Sequence, residues 1–161
     1  MIINTKLSLI EEFEKSIKLF LEQYRNLEAN WSNVPDKHSI ELTIMKKKDE
    51  GFDVVLCVSN QEIIVFAEGA HVHLYNERNS DDVVSSALEL TYDLLTKNMR
   101  VIEYSVSEKP YKWTMQTNVN GRWETDVVTR LFTWSLFCSK KSRILQNDQL
   151  PIRENAITEK D

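Results

Sequence analysis

Residues 52–75, FDVVLCVSNQEIIVFAEGAHVHLY, decide which fold this sequence can adopt. Three short runs rich in β-branched and aromatic residues are separated there by the turn-forming segments SNQ and EGA. Residues 40–44, just upstream, alternate apolar and polar side chains in the same way. Runs of this length joined by such short turns predict four strands in an antiparallel meander.

A helix is predicted on each side of this meander. Residues 5–29 carry apolar side chains at spacings of three and four, which places them on one stripe of a helix. Ser8 and Glu11 have the spacing of a capping box near its start. After the meander, Ser80 is a suitable N-cap for a second helix, with two aspartates in its first turn. We expect both helices to pack on a sheet through their apolar stripes.

Further strands follow the second helix, in the runs RVIEYSVS, YKWTMQTNV, RWETDVVT and LFTWSLFC, with SRILQN as a candidate for the last. Asn120 and Gly121 form the strongest hairpin signal in the chain. Counting outward from a two-residue loop pairs Met115 with Asp126 and Trp113 with Val128. This register places Trp113 and Trp123 on opposite faces of the hairpin, so one of them is expected to be core and the other partly exposed.

Together these elements predict an α+β fold, in which two helices pack on a large curved, mainly antiparallel sheet in the order helix, four strands, helix, four strands. Residues 1–147 are expected to form a single domain, because 161 residues suit one domain with its own core. Residues 148–161 are polar and contain a proline, so we predict a flexible tail.

Composition excludes several classes of function. The net charge of −5 argues against a nucleic-acid partner, which would favour a basic face. With only three glycines, the chain has no glycine-rich phosphate-binding loop. No apolar run is long enough to span a bilayer, and the N-terminus lacks the pattern of a signal peptide, so we expect no membrane partner and a cytoplasmic location. Cys57 and Cys138 lie in apolar runs and are expected to be buried free thiols, although the sequence leaves a disulfide open.

His71 and His73 are two residues apart in the strand HVHLY, so they and Tyr75 are expected to share one face of the sheet. Two such imidazoles can chelate a metal only with further ligands. The candidates for these ligands, none at a diagnostic spacing, are His38, Glu62, Glu68 and Glu77. We therefore predict no metal and no cofactor. The pattern favours a structural strand face with semi-polar side chains. The alternative is a partner-binding surface, for which the candidate residues are His71, His73, Tyr75 and Trp123; the sequence does not determine whether helix, solvent or a partner covers them.

The sequence carries no pattern typical of catalysis. Both cysteines lie within strands rather than at a helix N-terminus, where thiolates are usually activated. No GxSxG motif occurs, and the adjacent carboxylates Asp81 and Asp82 are explained by the first turn of a helix. We therefore expect no enzymatic activity, so no catalytic residues are predicted.

Four segments resemble parts of small bacterial α+β proteins of the toxin-immunity type: EGAHVHLY, the helix beginning DDVVSS, NGRWET and RLFTWSLFCSKK. The resemblance covers about residues 60–147. It implies an acidic cytoplasmic protein that binds and blocks a toxin domain, and it carries over no residue of known function. The acidic charge is compatible with capture of a basic toxin.

The sequence thus predicts a non-enzymatic bacterial protein that acts by protein–protein interaction, as a monomer or a homodimer. Two alternatives stay open. One is a carrier of a small apolar ligand, whose cavity would be lined by Trp113, Met115, Phe132, Trp134 and Phe137. The other is a protein similar to secretion chaperones, acidic and dimeric, that binds an unfolded client.

Overall fold

A computed structural model of the chain describes residues 7–33, 39–76, 80–132 and 139–153. Two helices and nine strands lie in these ranges. Helix α1 spans Leu9–Gln23 and is followed by strands β1 (Ala29–Asn33), β2 (Ser39–Ile44), β3 (Val54–Ser59), β4 (Glu62–Ala67) and β5 (Ala70–Tyr75). Helix α2 spans Ser80–Leu94 and is followed by β6 (Met99–Val106), β7 (Lys109–Val119), β8 (Arg122–Arg130) and β9 (Lys140–Leu145). Neither of the two described helices is long and apolar enough to cross a membrane.

The strands form two antiparallel sheets rather than one large sheet. The first sheet has the order β1-β2-β3-β4-β5, and the second has the order β8-β7-β6-β9. The predicted α+β class with antiparallel pairing is confirmed. The predicted order is approximate, since five strands, not four, precede α2 among the described residues.

Both helices pack on one face of the first sheet, where alternate residues of β3 and β4 are buried. The predicted capping box begins α1, since the Ser8 N–H donates to Glu11 Oε2 at 2.8 Å and the Glu11 N–H donates to Ser8 Oγ at 3.3 Å. The buried face of α1 and the helix-facing side of the sheet form one core with residues of the second sheet. Core side chains include Phe13, Ile17, Leu42, Leu56, Ile63, Val65, Ala87, Leu94, Val101, Met115 and Leu145.

Helix α1 ends at Gln23, six residues before the predicted end, and the chain then forms the unpredicted strand β1. Tertiary contacts of the residues that follow accompany the early end. The Asn26 side chain donates to the carbonyl of Gln149 at 3.0 Å, and the Met45 N–H donates to the carbonyl of Glu28 at 2.8 Å. Both partners are distant in sequence, so helical spacing alone could not reveal that the helix gives way to a strand.

The hairpin of β7 and β8 turns at Asn120 and Gly121 as predicted, and both residues have positive φ. The predicted register is wrong beyond Gln116, because a bulge at Asp126 shifts the pairing by one residue. Met115 therefore faces Val127, and Trp113 faces Thr129. The physical reason is burial: Met115 is fully buried, so an apolar side chain opposite it is favoured over the carboxylate of Asp126.

The two sheets meet where the β4–β5 turn packs on Trp113 of β7. A Cβ atom added to Gly69 in this turn would lie 2.2 Å from Trp113 Cε2, so only glycine fits. The Trp113 Nε1–H donates to Glu103 Oε2 at 3.1 Å, and Glu103 is 6% exposed. Arg143 Nε donates to Glu103 Oε1 at 2.8 Å, and its Nη2 atom reaches Glu68 Oε1 at 3.2 Å. These hydrogen bonds to Glu103 raise the pKa of Arg143, so this carboxylate is compensated by a cation that stays charged.

The segment after β9 packs on the body of the domain. Leu150 is buried, and its N–H donates to the carbonyl of Leu95 at 3.1 Å. Asn147 is buried and bonds the main chain of Phe52 and Leu94. The packed part of the chain therefore extends at least to Leu150, past the domain boundary that we predicted at residue 147. Of the predicted strand LFTWSLFC, all but the first two residues lie outside the described ranges.

Candidate functional site

The side of the first sheet that faces away from the helices is partly apolar, and its side chains are only partly buried. We call it the outer face. It comprises Glu41, Thr43, Val55, Cys57, Glu62, Ile64, Phe66, His71, His73 and Tyr75. These residues alternate with the buried ones along each strand, as the two-residue period of a strand requires. Even in the central strands, Cys57 and Ile64 are half-buried rather than buried.

A continuous line of rings crosses the outer face along β5. Phe66 contacts His71 at 5.4 Å between ring centroids, and His71 contacts His73 at 5.3 Å. Tyr75 stacks on His73 at 5.8 Å, with an angle of 17° between the rings, and is 58% exposed. His71, His73 and Tyr75 thus share one face, as predicted, and the helices lie on the opposite side of the sheet.

His73 is held by a carboxylate from the neighbouring strand. Its Nδ1 atom lies 2.7 Å from Glu62 Oε2, which fixes the orientation of the imidazole. His38 and Glu77, two of the candidate metal ligands, lie outside the described residues. Within the described residues, no group of three or more His, Cys, Asp or Glu side chains is placed to hold a metal ion.

Cys57 lies near the centre of the outer face and is a free thiol. The pKa of its thiol is raised to about 11, mainly by burial and in addition by the hydrogen bond and the charge of Glu41. The Sγ atom lies 3.5 Å from Glu41 Oε2. The thiol is therefore protonated at neutral pH, which is the opposite of the activation that a nucleophile needs.

Native Cys57 is expected to react slowly with iodoacetamide in a Cys138→Ser background. With a pKa of about 11, roughly one thiol in a thousand is ionised at pH 8, against about one in four for an ordinary cysteine. The alkylation rate should therefore be about two orders of magnitude below that of the same protein in urea, and it should rise with pH up to the thiol pKa. Glu41→Gln should raise the alkylation rate of the native protein part of the way towards the rate in urea. Equal rates in the native and unfolded protein would contradict this assignment.

Trp123 lies in the second sheet, where the Arg100 guanidinium stacks over its ring at 4.0 Å from the centroid. The predicted separation of the two hairpin tryptophans holds, since Trp113 packs at the junction of the sheets and Trp123 is half-buried on the other face. Within the described parts of the chain, no ring contact or hydrogen bond joins Trp123 to His71, His73 or Tyr75. The structure thus brings three of the four predicted partner-binding residues together.

The side chains proposed to line a ligand cavity are dispersed. Met115 is fully buried in the core, whereas Phe132 is 83% exposed. Trp134 and Phe137 lie outside the described residues. Within the described residues, these side chains therefore do not line the common cavity that the carrier hypothesis requires.

Sequence reasoning missed Phe66, Ile64 and the pairing of Glu62 with His73. A signal for them was present, because a two-residue turn at Glu68 and Gly69 pairs Ala67 with Ala70 and places Phe66 opposite His71. Counting outward from this turn would have predicted which residues of β4 and β5 share the outer face.

No protein-family model, curated protein or solved structure matches this chain. The function must therefore be inferred from the site itself.

Proposed function

We propose that this protein is a non-enzymatic binding protein that engages another protein through the outer face. The observation that carries the proposal is the line of four rings from Phe66 to Tyr75 on a sheet face turned away from the helices. Amphipathic rings on an exposed, partly apolar patch are typical of interface anchors. Burial of these rings against a partner would remove apolar surface from water, which favours association.

The charge of the outer face and of the whole chain favours one kind of partner. The outer face contains two carboxylates, Glu41 and Glu62, and no lysine or arginine. The whole chain carries a net charge of −5. Such a surface favours a basic partner, because opposite potentials steer encounter and cations stack well on aromatic rings. A basic toxin domain blocked by this chain in the bacterial cytoplasm is the specific form of the proposal.

Photo-crosslinking tests the binding surface. A photoreactive phenylalanine analogue at position 75 should capture a basic protein when the chain is expressed in its native host. The matched control carries the analogue at position 128, because Val128 is an exposed apolar residue of the second sheet. Capture at neither position, or equally at both, would count against the outer face.

Loss of a ring should then weaken binding of the captured partner. Phe66→Ala and Tyr75→Ala are each expected to raise Kd about thirtyfold, as is typical when an interface anchor is truncated. Val128→Ala should leave Kd unchanged. Isothermal titration calorimetry measures Kd, and thermal unfolding confirms that each variant is folded. Unchanged affinity in folded Phe66 and Tyr75 variants would refute this surface.

A further inference from the structure

A second surface, on the helix side of the first sheet, is an open groove of about 720 Å³ between α1 and β1. Its apolar part is formed by Leu21, Leu27 and Trp31. The Trp31 ring is 48% exposed, although its edge contacts Phe13 at 6.4 Å between centroids. The charged side chains that line the groove are Glu14, Lys18, Glu22 and Arg25.

Strand β1 forms the edge of the sheet beside this groove, and its unpaired main-chain groups can be assigned. The Met45 N–H donates to the carbonyl of Glu28, with which Met45 is in register, so these two residues form a hydrogen-bonded pair. Such pairs alternate along an antiparallel ladder. Asn30 and Ser32 therefore bond β2, whereas the N–H and C=O groups of Ala29, Trp31 and Asn33 point away from the sheet.

Within the described residues, the edge of β1 lacks the charges, the proline and the bulge that often protect an edge strand. Its sequence, ANWSN, contains no charged residue and no proline, and its pairing with β2 has no bulge. The other edges differ: β8 has four charged residues and a bulge, β9 has three basic residues, and β5 lies against β7 and β8. Among the described strands, β1 is thus the one edge open to pairing.

We propose that β1 and the adjacent groove bind an extended peptide segment of a partner protein, which adds to the sheet as a sixth strand. The exposed main-chain groups would supply the hydrogen bonds, and the groove would accept alternate side chains of the peptide. Trp31 points to the helix side, because it pairs with the buried Leu42. Peptide residues opposite Ala29, Trp31 and Asn33 would point to the same side and enter the groove.

The lining of the groove indicates which peptide it prefers. Its two acidic and two basic side chains balance in charge, so the walls favour neither a strongly acidic nor a strongly basic peptide. Leu21, Leu27 and Trp31 favour apolar side chains. The expected ligand is therefore an uncharged extended segment with apolar residues at alternate positions. This site is separate from the outer face, so an experiment can refute one binding surface without refuting the other.

A random ten-residue peptide display library provides the probe. Peptides selected on the wild-type protein are expected to carry apolar residues at alternate positions. In NMR titrations, a synthetic copy of a selected peptide should shift the amide signals of Ala29, Trp31 and Asn33 and slow their hydrogen exchange. Ala29→Pro removes one outward N–H at the first residue of an edge strand, where proline is tolerated, and should weaken binding about fivefold. Trp31→Ala should weaken it about thirtyfold, whereas Trp123→Ala should have no effect.

Three results would overturn the proposal. The first is failure of the library to yield a binder, and the second is a selected peptide that shifts signals elsewhere but not in β1. The third is slow exchange of the Ala29, Trp31 and Asn33 amides before peptide is added, because the edge would then already be paired. Dependence of that protection on protein concentration would identify a second copy as the occupant, and independence would identify a segment of the same chain. These NMR measurements use the wild-type protein, so they hold even if a variant fails to fold.

Discussion

Replacement of Asn147 by alanine is expected to lower the free energy of unfolding by about 4 kcal/mol. The buried amide accepts a hydrogen bond from the Phe52 N–H at 3.2 Å and donates to the carbonyls of Phe52 and Leu94, each at 3.0 Å. Alanine would leave these three main-chain groups without this partner in a site closed to water. Each unsatisfied buried group costs roughly 1–3 kcal/mol.

Urea unfolding followed by circular dichroism measures this loss. The matched control is Asn76→Ala, because the Asn76 side chain makes one long hydrogen bond of 3.4 Å in an exposed setting. That substitution should lower the free energy of unfolding by at most about 0.5 kcal/mol. A loss below about 1 kcal/mol for Asn147→Ala would show that the C-terminal segment does not hold the β2–β3 loop to α2.

Asn147→Asp adds a pH dependence with a definite sign. The introduced carboxylate would face the carbonyl oxygens of Phe52 and Leu94, which favours its neutral form and raises its pKa in the folded protein. The folded state then binds a proton more tightly than the unfolded state does. Stability relative to the wild type should be highest below about pH 4 and should fall as pH rises above that value. If the difference in unfolding free energy between this variant and the wild type stays constant between pH 4 and 7, the prediction is wrong.

Gly69→Ala is expected to destabilise the protein by about 3 kcal/mol. The added methyl group would lie 2.2 Å from Cε2 and 2.3 Å from Cδ2 of Trp113. The ring cannot retreat freely, because its Nε1–H is bonded to the buried carboxylate of Glu103, which is bonded in turn to Arg143. Relief of the clash therefore requires the loss of a buried hydrogen bond or a displacement of one sheet against the other.

Gly121→Ala is the matched control for a glycine in a hairpin turn. Nothing lies within 4 Å of a Cβ atom at Gly121, and its φ of +81° costs an alanine only about 1 kcal/mol. The double variant Gly69→Ala/Trp113→Leu should be more stable than the sum of the single changes predicts, because the smaller side chain leaves room for the methyl group. Thermal and urea unfolding compare the wild type with Gly69→Ala, Trp113→Leu, the double variant and the Gly121→Ala control. Additive losses would show that Gly69 and Trp113 do not pack as described.

The outer face depends on this junction. The turn at Glu68 and Gly69 sets the register in which Phe66 pairs with His71, and Trp113 packs directly on the turn. A shift by one residue would move the rings of β5 to the opposite side of the sheet. The second sheet therefore stabilises the strand pair that carries the proposed binding surface.

Local patterns in the sequence determined much of this protein. Alternating apolar residues and short turns determined β2 to β5. The capping box of Ser8 and Glu11 marks the start of α1 at Leu9, whereas helical spacing placed that start at residue 5. The two-residue spacing of His71 and His73 determined that they share a face. These features follow from the geometry of single strands and helices, so neighbouring residues suffice to specify them.

Only the tertiary structure decided the rest. Contacts with Gln149 and Met45, distant in sequence, are associated with the end of α1 at Gln23 and with the start of β1, which created the edge and groove that hold Trp31. Burial of Met115 placed Val127 opposite it and displaced Asp126 into a bulge. The place where the two sheets meet likewise depends on residues distant in sequence, since Trp113 packs on Gly69. Each of these outcomes depends on which residues, distant in sequence, pack in the same buried space. A local sequence pattern does not specify such long-range packing.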